Sequence, residues 1–191
     1  MTRKLTLWTA LAVCLTVLPL ASAQNAGSNK YLDIQSSAGG LHAGNDADPR
    51  QAGLPVYPGA HLRHDDNHES HSANFDVFTA FFGMKLVVLN YDSDDSPEKI
   101  ISFYRDKLKK YGKVIECHTS DNDPRMQSHA DDNAKSSKEL TCDGDNTGNN
   151  IELKAGTEDN QHAVAIQPNK SGNGATFALV YVHVRGKQAD I

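Results

Sequence analysis

The chain has 191 residues, with 24 acidic and 19 basic side chains and a formal net charge of −5 at pH 7. A net acidic chain without a basic block is a poor binder of nucleic acid and of anionic membrane surfaces. The residues between 54 and 186 are enough for one hydrophobic core and too few for two. These properties predict a single folded domain.

Residues 1–23 have the pattern of a secretory signal peptide. Two basic residues precede an apolar run over 5–20, and the small residues at 21–23 fit a cleavage site. We therefore predict a mature chain that begins near Gln24, is periplasmic or secreted, and has no permanent membrane span. Cleavage would remove two basic residues and no acidic residue, so the net charge would move from −5 to −7.

Residues 24–53 are rich in Gly, Ser, Ala, Asn and Asp, a composition typical of a flexible linker. The folded domain is predicted over residues 54–186, and residues 187–191 form a tail. Within the domain the sequence predicts the order ββαβββββ.

Two strands are predicted before the helix, over Asn74–Phe82 and Met84–Tyr91. The first run also fits a helical spacing, but a strand is favoured because Gly83 can then form the turn of a hairpin. Four phenylalanines lie between residues 75 and 82, and they are expected to be core, with an aromatic binding face as the alternative.

The helix is predicted over residues 97–111. Ser96 is a suitable N-cap, Pro97 suits the first helical position, and Gly112 suits a C-terminal cap. One stripe of the helical wheel carries the apolar and aromatic side chains Ile100, Ile101, Tyr104, Leu108 and Tyr111. We expect this stripe to cover one sheet face alone.

Five short strands are predicted after the helix, over Lys113–His118, Glu139–Cys142, Ile151–Lys154, Ala163–Gln167 and Ala175–Arg185. The last has apolar residues on both faces, which favours a central position. Short connections favour antiparallel pairing. The predicted fold class is therefore α+β, with a single mainly antiparallel sheet and one principal helix on one face. The opposite face is expected to be polar, paired in an oligomer, or a binding surface.

Cys117 and Cys142 remain after removal of the signal peptide, and an even pair in an exported chain predicts a disulfide. Such a bond should contribute ~3 kcal/mol by restricting the denatured chain. A redox or metal-binding pair is the alternative, and it is disfavoured because the Cys-x-x-Cys spacing is absent.

Four histidines, His61, His64, His68 and His71, fall within eleven residues that also hold three carboxylates. Imidazoles suit Zn²⁺, Cu²⁺ and Ni²⁺, and carboxylates can complete the shell. The sequence thus contains a candidate metal site, whereas the favoured alternative is a solvated polar loop.

Several segments carry a resemblance to known proteins: Leu54-Pro55-Val56-Tyr57-Pro58-Gly59-Ala60, Asp95-Ser96-Pro97-Glu98-Lys99, Phe103-Tyr104-Arg105, Leu108-Lys109-Lys110-Tyr111-Gly112, Leu153-Lys154-Ala155-Gly156-Thr157 and Phe177-Ala178-Leu179-Val180-Tyr181. In these segments the chain is similar to a group of uncharacterised secreted bacterial proteins, many from acidobacteria. The resemblance implies the fold and the exported location, and it transfers no functional residue.

The sequence contains no Gly-x-Ser-x-Gly elbow, phosphate loop or dinucleotide glycine pattern. Our first hypothesis is therefore a non-enzymatic exported binding or accessory protein, whose partner is a protein or a small ligand. The second is a periplasmic divalent-metal-binding protein that uses the four histidines. A hydrolase without a local signature is the third, and no cofactor besides the metal is expected.

Overall fold

The computed structural model describes residues 31–64, 70–119, 139–142, 146–169 and 174–186. Its elements, in chain order, are β1 (Leu32–Ser36), β2 (Gly39–Gly44), α1 (Pro49–Ala52), β3 (His61–Leu62), β4 (Ser72–Thr79), β5 (Gly83–Ser93), α2 (Pro97–Leu108), a 3-10 turn (Lys109–Tyr111), β6 (Ile115–Thr119), β7 (Asn150–Thr157), β8 (Asn160–Pro168) and β9 (Ala175–Arg185).

The described strands form one open antiparallel sheet of nine strands. Eight lie in the spatial order β1-β2-β4-β5-β9-β8-β7-β6, and β3 pairs with β5 outside this path. The predicted antiparallel sheet and the central position of the last strand are confirmed, since β9 lies between β5 and β8. The sheet dominates the chain, so the protein is closer to a mostly-β fold than to a balanced α+β fold.

The prediction of a flexible linker is wrong for residues 31–53. These residues form the β1–β2 hairpin, which pairs with β4 and extends the sheet, and the short helix α1. Asp48 caps α1 in a reciprocal capping box with Gln51. The polar composition concealed the hairpin, because its stability comes from pairing with a distant strand.

The predicted strand over Glu139–Cys142 is also wrong, because these four residues have no strand assignment. They lie beside β6 through the disulfide between Cys117 and Cys142, whose Cα atoms are 5.4 Å apart. The predicted disulfide is thus present. In the described residues, five strands precede α2 and four follow it, in place of the predicted two and five.

The main helix agrees with its prediction. Helix α2 and the 3-10 turn together end at Tyr111. The expected stripe is buried at its four α-helical positions, and Tyr111 is half-buried. Ser96 occupies the N-cap position, although its side chain makes no capping hydrogen bond.

Helix α2 shares its sheet face with other segments, contrary to expectation. It packs on β7 and β8, whereas α1 packs on β5 and β9. Residues 54–57 fill the space between the helices, where Leu54 and Tyr57 are buried and the Tyr104 hydroxyl donates to the Pro55 carbonyl at 3.1 Å. The sheet residues of this core are Val87, Leu89, Tyr91, Leu153, Ala155, Val164, Ile166, Ala175, Phe177 and Leu179.

The opposite sheet face, here called the second face, is apolar over β1, β2, β4 and the adjoining parts of β5 and β9, whereas Glu152 and Lys154 of β7 make it polar toward the other edge. Alternation along each strand separates it from the core: in β5, for example, Val87 and Leu89 are buried, whereas Leu86 and Val88 are half-buried. The apolar members of the second face are Leu32, Ile34, Leu41, Ala43, Ala73, Phe75, Val77, Met84, Leu86, Val88, Ala163, Ala165, Ala178, Val180, Val182 and Val184. This composition contradicts the first of the three expectations, a polar face.

Candidate functional site

Five titratable side chains form one row across the helix-bearing face of the sheet. The strand register places Asp33 opposite His42, His42 opposite Asp76, Asp76 opposite Lys85, and Lys85 opposite His183. Residues directly opposite in antiparallel strands lie roughly 4.5–5.5 Å apart. The row, here called the polar row, therefore brings together groups from five strands that are up to 150 residues apart in sequence.

A cleft of about 230 Å³ lies over the first four residues of the polar row. Helix α2 packs on β7 and β8, toward the far edge of the sheet, and α1 bounds the cleft through Gln51. The lining residues are Asp33, Gln35, Leu41, His42, Gln51, Asn74, Asp76, Phe78 and Lys85. The cleft therefore combines carboxylates, amides and one ammonium group with a small apolar wall.

The aromatic part of that wall depends on a glycine. Phe78 is 46% exposed and stands opposite Gly40 in the register. A Cβ atom at Gly40 would lie 2.7 Å from Cε1 of the Phe78 ring. The absence of a side chain at Gly40 therefore allows the ring to lie across β2.

Charged groups at the cleft are linked by hydrogen bonds and a long ion pair. The His42 Nε2 atom is 3.0 Å from Oδ1 of Asp46. Burial raises the pKa of Asp46, but the hydrogen bond and the charge of His42 outweigh burial, so the net effect is a lowered pKa. Lys85 Nζ lies 3.9 Å from Oδ2 of Asp76, a distance at which a ligand atom can compete for either group.

Asn74 is the most unusual residue of the cleft. Its side chain is 7% exposed, and its Nδ2 atom donates to Oδ1 of Asp46 over a long 3.4 Å. Within the described residues, its Oδ1 atom is buried and has no hydrogen-bond partner. An unsatisfied buried oxygen costs roughly 1–3 kcal/mol, and such exceptions are expected where a group serves a function.

His183, at the end of the polar row, has a comparable feature. Its Nδ1 atom is buried without a partner in the same described part of the chain. The ring belongs to a column of stacked rings in which the centroids of Tyr111 and His162 are 3.5 Å apart, those of His162 and Tyr181 4.7 Å, and those of Tyr181 and His183 6.3 Å.

This column positions α1 beside the cleft. His162 Nδ1 lies 2.9 Å from the Ala52 carbonyl, so the neutral Nδ1–H form donates to it. Burial lowers the pKa of His162, which favours this neutral form. The Tyr111 hydroxyl donates to the Gly53 carbonyl at 2.5 Å. The end of α1 is thereby attached to the sheet, and Gln51 is held at the edge of the cleft.

The three predicted metal ligands that the structure describes lie away from the cleft. His61 stands in β3 opposite Asp92, and His64 forms an isolated bridge with Ser70. His61, His64 and His71 are exposed, whereas His68 lies outside the described residues. Among the residues that the structure describes, no group of three or more His, Cys, Asp or Glu side chains is placed to hold a metal ion. The metal hypothesis stays a prediction.

The four clustered phenylalanines are not core residues. Phe75 lies on the second face, Phe78 borders the cleft, and Phe81 and Phe82 are 89% and 42% exposed at the β4–β5 turn. The expectation of a core role is therefore wrong. The alternative of an aromatic binding surface stays a prediction.

Sequence reasoning did not identify the polar row. Its members are single polar residues in alternating strands, and only the register brings them together. The predicted hairpin gave no signal for the pair Asp76 and Lys85, because a turn centred on Gly83 would pair Asp76 with Asn90, whereas the observed pairing is centred between residues 80 and 81. The remainder required the β1–β2 hairpin, which was assigned to the linker.

The fold and the cleft together define a mostly-β protein with one antiparallel sheet, an apolar second face and a polar cleft beside a short helix. Of the helices in the described segments, neither is long and apolar enough to span a membrane. No protein-family model, curated protein sequence or solved structure matches the chain.

Proposed function

We propose that this protein is an exported, non-enzymatic binding protein that holds a small, neutral, polyhydroxylated ligand of monosaccharide size in the cleft over the polar row. The observation that carries the proposal is the buried, unpartnered Oδ1 atom of Asn74 at the cleft. The Cys117–Cys142 disulfide supports export, because disulfides persist in oxidising compartments.

The polarity of the cleft favours a ligand with hydroxyl groups. Asp33, Asp76 and Asn74 offer oxygen acceptors, and two glutamine amides offer both donors and acceptors. Two carboxylates against the single ammonium of Lys85 disfavour an anion. A hydroxyl group can donate to the carboxylates and accept from the amides and from Lys85, so it can satisfy both kinds of group at once.

The shape of the cleft favours a small ligand with one apolar side. Its volume of about 230 Å³ is below the roughly 300–1,000 Å³ of sites for drug-sized ligands. The exposed Phe78 ring forms an apolar wall on which the C–H face of a sugar ring can pack. The nine lining side chains include no Ser, Thr, Cys or Tyr nucleophile beside a base, which supports binding without covalent catalysis.

Saturation-transfer NMR on the full chain tests this proposal. The probes are glucose, galactose and N-acetylglucosamine, with gluconate and putrescine as anionic and cationic counterparts. We expect at least one neutral sugar to bind, and both Asn74→Leu and Phe78→Ala to weaken that sugar by about tenfold, the equivalent of ~1.4 kcal/mol.

The matched control is Asn90→Leu, because Asn90 lies on the neighbouring strand and bonds the His71 carbonyl rather than the cleft. It should leave sugar binding unchanged. The proposal is wrong if no neutral sugar binds, if gluconate or putrescine binds instead, or if both cleft variants bind as the wild type does. Hydrolysis of a matching disaccharide would contradict the non-enzymatic part.

A further inference from the structure

A second concave surface, here called the basic groove, lies between helix α2 and the segment that follows α1. Its volume is about 720 Å³, within the roughly 300–1,000 Å³ of sites for drug-sized ligands. It shares no lining residue with the cleft over the polar row. The basic groove is therefore a separate candidate site.

The apolar side of the basic groove is held in place by the fold. Its apolar side chains are Leu54, Pro55, Val56, Pro58 and Phe103. The Phe103 ring makes edge contacts with Tyr57 and Tyr104, at centroid distances of 5.2 and 5.0 Å. The Pro55 carbonyl accepts from the Tyr104 hydroxyl at 3.1 Å. An apolar ligand would thus meet a preformed surface, which lowers the entropic cost of binding.

Every charged side chain that lines the basic groove is a cation, namely Arg50, Lys107 and Lys110. Arg50 is neutralised by Asp48, through contacts of 2.7 Å from Nη2 and 2.9 Å from Nε. The two lysines are three residues apart at the end of α2 and in the 3-10 turn. Side chains at this spacing are neighbours on a helix, and like charges there repel each other.

The two lysines lack full counter-charges. Lys110 Nζ donates to the Gly53 carbonyl at 2.8 Å, and within the described residues it has no ion-pair partner. Lys107 Nζ lies 3.8 Å from a carboxylate oxygen of Asp106, which Lys109 also contacts at 3.4 Å. Cations near the end of a helix offset its dipole, but that role requires no apolar surface beside them.

We propose that the basic groove binds a small amphiphile with one carboxylate and an apolar hydrocarbon body, such as a medium-chain fatty acid. The carboxylate would lie between Lys107 and Lys110, and the body would pack on Phe103 and residues 54–58. A neutral molecule would leave the two ammonium groups uncompensated. The proposal is independent of the sugar site, because either ligand could bind without the other.

Isothermal titration calorimetry of the full chain with octanoate tests the proposal. Butyrate keeps the carboxylate and shortens the body, whereas octylamine keeps the body and reverses the charge. Each buried CH₂ group strengthens binding by up to about fourfold. We therefore expect octanoate to bind at least about tenfold more tightly than butyrate, and octylamine not to bind.

The charge variant is Lys107→Gln with Lys110→Gln, which keeps long polar side chains and removes both charges. The matched control is Lys109→Gln with Lys113→Gln, because neither residue lines the basic groove and the net charge changes by the same amount. Both double variants should retain the wild-type circular dichroism, since their side chains are exposed or half-buried.

The charge variant should weaken octanoate binding at least about tenfold, and the control should leave it unchanged. The proposal is overturned if octanoate does not bind, if octylamine binds as tightly as octanoate, or if the charge variant binds as the wild type does. An equal loss in the control would also overturn it, because overall charge would then explain the binding. Amide shifts with octanoate that are confined to the second face would place the ligand there and contradict the proposal.

Discussion

Replacing Asn74 with leucine should make the protein more stable while it impairs ligand binding. Leucine has a similar shape and removes the buried Oδ1 atom that lacks a partner. That atom costs roughly 1–3 kcal/mol. The same change removes the Nδ2 bond to Asp46, but this bond is long, at 3.4 Å, and Asp46 keeps its 3.0 Å contact with His42.

The lost bond should cost no more than about 0.5 kcal/mol, the lower end for a hydrogen bond. The net gain is therefore about 1 kcal/mol in the free energy of unfolding, which corresponds to a rise of roughly 2–4 °C in Tm for a protein of this size. Urea unfolding followed by circular dichroism measures the first quantity, and a thermal melt the second.

Asn90→Leu is the same chemical change, but it should lower the free energy of unfolding. Its Nδ2 atom donates to the His71 carbonyl at 2.9 Å, so the variant should lose about 1 kcal/mol. The reasoning fails if Asn74→Leu is destabilised by 1 kcal/mol or more, since Oδ1 would then be satisfied in the native protein. If Asn74→Leu is stable and binds the sugar as the wild type does, the unpaired Oδ1 atom has no role in ligand binding.

Three further changes test the fold. Leu108→Ala should lose about 2–5 kcal/mol in urea unfolding, because the side chain is fully buried against the sheet; a loss similar to that of the exposed Phe81→Ala would contradict this packing. Replacing both Cys117 and Cys142 with alanine should lose ~3 kcal/mol from a loop of this length, and an unchanged unfolding midpoint would refute it. Burial lowers the pKa of His162 in the folded protein. At pH values near and below the ordinary histidine pKa of about 6.5, the unfolded chain therefore binds more protons than the folded chain. Stability should fall as the pH drops from about 6.5 toward the folded pKa. His162→Phe should reduce that slope between pH 7 and 5, and an equal slope in the variant would exclude His162 as the cause.

Local signals predicted the elements whose stability is local. The Ser96–Pro97 start and the spacing of Ile100, Tyr104 and Leu108 were sufficient for α2. Apolar runs identified β5 and β9, and the even cysteine count identified the disulfide.

The errors arose where pairing with distant residues decides the structure. The β1–β2 hairpin contains glycine, serine and polar residues that resemble a linker, and pairing with β4 orders it. Residues 139–142 have strand-like composition, but the disulfide rather than a ladder holds them beside β6. The cleft was not predicted because the polar row depends on the register between strands, and composition does not fix that register.

The extent of the apolar second face could not be predicted from the sequence for a different reason. The sequence predicted apolar residues on both faces of the last strand, and that prediction was used only to place β9 at the centre. The same pattern extends through Phe75 and Val77 of β4 to Leu41 of β2. Its extent became visible only when the register aligned these residues in rows.

The central claim is that the cleft over the polar row is the ligand site, and an amide chemical-shift titration of the full chain tests it most directly. The probe is whichever of glucose, galactose or N-acetylglucosamine gives saturation transfer. We predict that the shifted amides cluster at residues 33–42, 74–78 and 85, around Asn74 and Phe78. Shifts confined to residues 61–71 or to the second face, or no shifts with any of the three sugars, would contradict the account.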